Sequence, residues 1–202
     1  MRKKTLAKRQ TFIHAAGDLF LERGFFGVTM EAIALKANAS KMTLYNYFSS
    51  KDDIFKAYIV EVGVGSDMSL LSSLEFKPDV RAVLYHLGIA YLAFVTSPDV
   101  VSLERLVIGE AGRSPELAHV FYENGPKKIL VIMSQVIQEL MDEGLLCHCY
   151  ITDCVLDFQA LCSSGVAEKC LWNIESPPEL DVQKEKVKRA ISIFTQHYSP
   201  TA

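Results

Sequence analysis

The sequence predicts an all-α protein: an N-terminal three-helix head with a helix-turn-helix, then a larger helical body. Three observations lead there. No segment of the 202 residues alternates polar and apolar side chains with the period of a strand. Apolar residues recur instead at three- and four-residue spacing, and Pro, Gly and Ser mark the breaks between stripes. Within residues 29–51, two short amphipathic stretches are joined by a tight turn at Asn38-Ala39.

Helix one, roughly Leu6–Arg23, carries the stripe Phe12, Ile13, Ala16, Leu19 and Phe20, and Gly24 terminates it. Thr29 caps the next helix, with Val28 placed to staple against Ile33. Ala32 leaves no reciprocal capping box, while Glu31 favours the helix N-terminus by charge. Asn38 tolerates the left-handed conformation that the turn needs. Ser40 caps the following helix, its oxygen taking the amide of Met42 or Thr43. Lys41 to Phe48 then spans about 12 Å, one major-groove width. Leu44 and Phe48 share one face with Tyr47 beside them, while Met42 and Asn46 point the opposite way, flanked by Thr43 and Tyr45. An apolar anchor under a mixed reading surface suits a groove-docking helix, although an ordinary amphipathic pair has the same periodicity.

Ser50 and Asp53 form a capping box for helix four, expected from Lys51 to about Ser73. Its interior Val62-Gly63-Val64-Gly65-Ser66 weakens it by roughly 2 kcal/mol, at about 1 kcal/mol per glycine. That stretch reads as a compliant joint, as a site of close helix packing, or as an early helix end. Pro78 and Pro98 open helices five and six, ending near Thr96 and Glu110. A seventh segment runs from Ser114-Pro115 to Gly144 with a break at Gly125-Pro126. Helices eight (about Thr152–Trp172) and nine (about Leu180–Tyr198) flank Pro177-Pro178.

Gly24-Phe25, Val28-Thr29, Ile33-Ala34, the string Thr43-Leu44-Tyr45-Asn46-Tyr47-Phe48 and Lys51 resemble the DNA-binding domain of the tetracycline-repressor (TetR) family over residues 6–58. The turn Asn38-Ala39 departs from the family's usual Gly and β-branched residue, and Met42 stands where a small residue is common. Residues 98–143, with Glu104-Arg105-Leu106-Val107, Glu110 and Phe121-Tyr122-Glu123, are similar more loosely to the multidrug-responsive branch. The resemblance implies a helix-turn-helix domain at 1–50 and a ligand-binding and dimerisation domain at 51–202. It implies phosphate contacts from Thr29, Tyr47 and Lys51, with Ser40 offering a helix N-terminus. Lys41, Met42, Thr43, Tyr45 and Asn46 then face bases or adjacent backbone. Asn46 can pair bidentately with adenine, and Met42 can pack on a thymine methyl. The arm Arg2-Lys3-Lys4 could reach a minor groove or serve as a solubilising tail.

One head reads few base pairs, so a symmetric operator in double-stranded DNA calls for a homodimer. The candidate dimer stripes are Val187, Ile191, Phe194 and Tyr198 on helix nine, and Val155, Phe158, Leu161, Cys162 and Gly165 on helix eight. An intrachain core could use the same stripes. A ligand pocket is implied among helices five to eight. Of the aromatics Phe76, Tyr85, Tyr91, Phe94, Phe121 and Tyr122, most are expected to be plain core. The pocket candidates are Tyr91, Phe94, Phe121 and Tyr122, with Glu104, Glu110 and Asn124 as polar contacts, suited to a hydrophobic or cationic small-molecule effector.

Charge agrees with that division. Residues 1–60 hold ten Lys and Arg against five Asp and Glu, a net of +5; the remainder holds eleven against nineteen, a net of −8. A basic head on an acidic body suits an approach to polyanion by the head alone. No apolar run reaches the roughly 18 residues needed to cross a bilayer, so a cytoplasmic protein with free thiols is expected. Cys147-His148-Cys149 and Cys154 approach soft-metal or redox spacing, but no second Cys-x-x-Cys completes a site, and no metal or cofactor is expected. Glu116-x-x-His119 lacks the second His of a zincin. The sequence has no Gly-x-Ser-x-Gly and no phosphate-cradling loop, which disfavours an enzyme. A membrane-surface or scaffold helix would expose a wide apolar face, which Lys41–Asn46 does not.

Overall fold

The computed structural model describes residues 2–64 and 79–200, which contain eleven helices and no strand. They fall into two units, Met1–Gly63 with Ser102–Gly125, and Val64–Val101 with Pro126–Ala202.

The first unit holds α1 (Arg2–Arg23), α2 (Met30–Lys36), α3 (Lys41–Tyr45), α4 (Lys51–Val64), most of α6 (Pro98–Ala111) and α7 (Pro115–Asn124). The α1 stripe Phe12, Ile13, Ala16, Leu19 and Phe20 is buried together with Ile33, Leu44 and Phe48, so its apolar face is not open to a lipid surface. Phe20, Phe25 and Phe55 form a ring cluster with centroids 5.2–5.6 Å apart. The expected division after residue 50 differs from this one for a packing reason. Ile54, Phe55, Tyr58 and Ile59 of α4, with Leu103, Val107 and Leu117 of the later segment, complete the same core. A methyl group at Gly17 would run into the Tyr58 ring, so α1 meets α4 at bare backbone.

The structure describes α4 to Val64, and its expected continuation to Ser73, with Gly65, Phe76 and Pro78, lies outside the described residues. At Gly63 a Cβ would meet nothing within 4 Å, so close packing is not what keeps this position bare.

The second unit holds α5 (Val80–Val95), α8 (Pro126–Asp142), α9 (Ile151–Ser163), α10 (Ala167–Leu171) and α11 (Leu180–Tyr198). Asp79 starts α5, its Oδ1 accepting from the amides of Arg81 at 3.0 Å and Ala82 at 3.3 Å. Helices α5, α9 and α11 meet at Gly88, where a Cβ would lie 2.7 Å from Val187 Cγ1 and 3.2 Å from Cys162 Sγ. The break between α7 and α8 falls at Gly125-Pro126 as expected, and α11 has the expected bounds.

Two expectations are corrected here. Helix eight is not continuous to Trp172: α9 ends at Ser163, Gly165 takes φ +76°, and α10 resumes at Ala167. The left-handed glycine ends the helix, and its amide donates to the Glu168 carboxylate at 2.7 Å. The second correction concerns the proposed dimer stripes. Val155, Phe158, Cys162, Val187, Ile191, Phe194 and Tyr198 are all buried in the core of their own unit, and Gly165 is an exposed break residue. The intrachain reading of that stripe is the one realised. The large apolar side chains that α9 and α11 leave exposed are Leu156, Leu180, Val182 and Ile193.

Cys154 is buried, Cys147 half-buried and Cys149 exposed. Burial pushes the Cys154 thiol up, with the Cys149 thiol and the Asp157 carboxylate adding to the effect; burial also raises Cys149, opposed by its hydrogen bond with Cys154. Among the described residues no single helix is long and apolar enough to cross a membrane.

Candidate DNA-binding site

Thr29 opens α2, its hydroxyl accepting from the Ala32 amide at 3.2 Å, and Glu31 follows in the first turn. Asn38 takes φ +48°, the left-handed turn expected of it, and Ala39 N returns to Ala34 O at 2.9 Å. Ser40 then caps α3 through the Thr43 amide at 3.1 Å, while the Ser40 and Thr43 hydroxyls bond at 2.8 Å.

The helix is shorter than the expected Lys41–Phe48. It closes at Asn46, and Tyr47 N and Phe48 N both return to Leu44 O, at 2.9 and 3.1 Å. The facial division survives the shortening. Leu44 and Phe48 are buried, and Tyr47 is half-buried with its ring 5.5 Å from Phe12. Lys41, Met42, Tyr45 and Asn46 are exposed, Met42 at 77%. An exposed methionine of this size beside an exposed carboxamide is a surface without a partner in its own unit.

The head's cations are mostly engaged. Lys41 pairs with Glu31 and lies 5.8 Å from the Tyr45 ring centroid. Lys36 pairs with Asp18 at 3.1 Å, and Lys8 donates to Ala37 O at 3.2 Å. Arg9 stacks over Phe48 at 4.9 Å. Exposed pairs such as Lys41–Glu31 contribute little, so a phosphate can draw Lys41 away at small cost.

Lys51, for which the resemblance implies a phosphate contact, is engaged within the head. Its ammonium donates to Phe25 O at 2.7 Å and Val28 O at 2.9 Å, and lies 4.3 Å from the Phe25 ring centroid. Burial pushes this ammonium below its ordinary value, and the charges of Asp52 and Glu110 oppose the shift. Glu110, expected in a ligand pocket, instead accepts from Phe25 N through Oε1 at 3.1 Å. No local pattern could reveal this contact, because 85 residues separate the partners.

The other pocket candidates divide between the units. Tyr91 and Phe94 pack on the core of the second, while Glu104, Phe121, Tyr122 and Asn124 belong to the first. The Asn124 amide is engaged by Val120 O at 2.8 Å, and Tyr122 is exposed. Glu104 is half-buried, and burial pushes its carboxyl above the usual carboxylate range.

Comparison with known proteins agrees with this arrangement. Residues 12–58 match the bacterial regulatory proteins of the tetR family, and residues 82–200 match the C-terminal domain of AefR-like transcriptional repressors. The C-terminal match is to the AefR-like group. The nicotine-responsive transcriptional repressor HdnoR of Paenarthrobacter nicotinovorans is 27% identical over 64% of this chain and 69% of its own length. YhgD, an uncharacterized helix-turn-helix regulator of Bacillus subtilis (strain 168), is 28% identical, and the match spans 40% of this chain and 44% of that protein. Among solved structures, the flavonoid-responsive regulator FrrA superposes with a TM-score of 0.78 at 27% identity, covering 97% of this chain and 99% of its own. The two family matches together span residues 12–58 and 82–200, including the whole of the helix-turn-helix. This chain belongs to the TetR family of bacterial transcriptional regulators.

Proposed function

We propose that this protein is a cytoplasmic, ligand-responsive repressor that binds a palindromic operator as a homodimer and is released by a small aromatic effector. The observation that carries the reading is the α3 surface. Lys41, Met42, Tyr45 and Asn46 stand exposed over the buried anchors Leu44 and Phe48. That surface has the chemistry of base-edge readout and the size of a groove-docking element. Repression is supported by the AefR-like match and by the relative named as a repressor. A mobility shift on the DNA upstream of its own gene, repeated with candidate ligands, tests the proposal. No shift at low salt, with the protein folded, would sink it.

Two outcomes follow. Asn46→Ala is expected to lose about 1–3 kcal/mol of discrimination at one base pair per half-site. Binding to other base pairs should be nearly unchanged, as read by affinity for single-base operator variants. The second concerns the effector. A relative named for nicotine response and a solved structure named for flavonoid response suggest ligands with an aromatic ring, one of them an amine. Burial holds the half-buried Glu104 carboxyl above its ordinary value, and a cationic ligand placed beside it would restore its charge. Glu104→Gln should therefore weaken binding of an aromatic amine by about 1.5–3 kcal/mol and leave a neutral flavonoid unaffected, measured calorimetrically. Equal losses for both ligands would remove Glu104 from the recognition scheme.

A further inference from the structure

We propose that Lys51 and Glu110 are positioning residues of the DNA-binding head, gripping the turn 24–28 from two sides and thereby setting where Thr29 and α2 begin. This rests on the DNA-binding reading above and departs from the phosphate contact that the motif implies for Lys51.

The geometry is a chain of short links. From α6, Glu110 Oε1 accepts the Phe25 amide at 3.1 Å. From α4, the Lys51 ammonium donates to the carbonyl of that same Phe25 at 2.7 Å and to Val28 O at 2.9 Å. The peptide groups on both sides of Phe25 are thus held by opposite charges from two different helices. Gly24 takes φ +72°, and a Cβ there would lie 2.7 Å from Glu110 Oε1, so the carboxylate lies against bare backbone. Below the ammonium, the Phe25 ring at 4.3 Å adds a cation–π contact. An ammonium has three donors, and two are already committed to carbonyls. Val28, the second carbonyl, directly precedes the cap residue Thr29, whose hydroxyl starts α2. Loosening either grip releases the entry of the helix-turn-helix, although neither residue lies on the α3 surface.

Phosphate contact and positioning differ in salt dependence. Each phosphate neutralised contributes a slope of about −0.9 to log K against log salt, so two lost contacts in a dimer reduce it by about 1.8. The experiment uses the full chain and the duplex that the wild-type protein selects from a random pool, titrated across a salt series. Lys51→Met is expected to lower affinity tenfold or more with the slope unchanged. Glu110→Ala is expected to lower affinity comparably, again with the slope unchanged. Glu110→Gln keeps an acceptor for Phe25 N and should recover most of the loss. A slope reduced by about 0.9 per subunit in Lys51→Met overturns the proposal and restores the phosphate contact. Wild-type affinity in Glu110→Ala also overturns it. Should Lys51→Met fail to fold, the Glu110→Ala and Glu110→Gln pair decides alone. Failure of the wild-type chain to select any duplex overturns the DNA-binding reading itself, and the positioning role with it.

Discussion

Phe194→Ala is expected to lower the free energy of unfolding by about 3–5 kcal/mol, by the same amount at every protein concentration. The side chain is 1% exposed, with its ring 5.0 Å from Phe158 and 4.5 Å from Tyr198. Tyr198 in turn ties α11 to α9 by donating from its hydroxyl to Asp157 Oδ2 at 2.6 Å. Removing the ring forfeits its burial and leaves a cavity that helices meeting at Gly88 cannot collapse to fill. Against a typical stability of about 5–15 kcal/mol, the loss is large. Urea unfolding at two concentrations a hundredfold apart reads it. If Phe194 belonged to a subunit interface instead, the variant would keep its folded monomer and lose only association. A wild-type urea midpoint in a protein that sediments as a monomer would contradict the core assignment.

That ambiguity shows what a single sequence can carry. Three- and four-residue spacing identifies the face of α11 that is apolar, and Val187, Ile191, Phe194 and Tyr198 do lie on one buried face. Spacing contains nothing about what covers that face. The elements most legible in the sequence were those governed by local chemistry. Thr29, Ser40 and Ser50 each accept the expected amide, Asn38 takes the left-handed conformation, and Gly125-Pro126 breaks the chain. Gly165 belongs by spacing to the helix-eight stripe, whereas its φ of +76° ends α9, because a glycine is equally a helix stop. At the site, facial alternation placed Leu44 and Phe48 inside and Met42 and Asn46 outside. The inward turn of Lys51 and the reach of Glu110 to Phe25 depend on contacts across 23 to 85 residues, which no window along the chain contains.

With the predicted stripe occupied by the core, the faces of α9 and α11 that remain to serve a dimer carry Leu156 and Ile193, 47% and 44% exposed. Replacing both with Glu is expected to abolish dimerisation while the subunit stays folded. Exposed positions away from special features change stability within about 0.5 kcal/mol, so the fold should tolerate the change. An interface does not, because each subunit would bring two unpaired carboxylates into an apolar contact, and burying a charge without a partner is strongly unfavourable. A monomer engages one half-site and forgoes the effective concentration that links the second head to its own. Operator affinity should therefore fall roughly 10²–10⁴-fold, with no substitution in the DNA-facing residues. Sedimentation at micromolar concentration and a mobility shift on the same preparation read the two effects together. Dimers of wild-type strength in the double variant would place the interface on some other surface. Monomers that bound the operator as tightly as wild type would mean that symmetry contributes nothing to recognition.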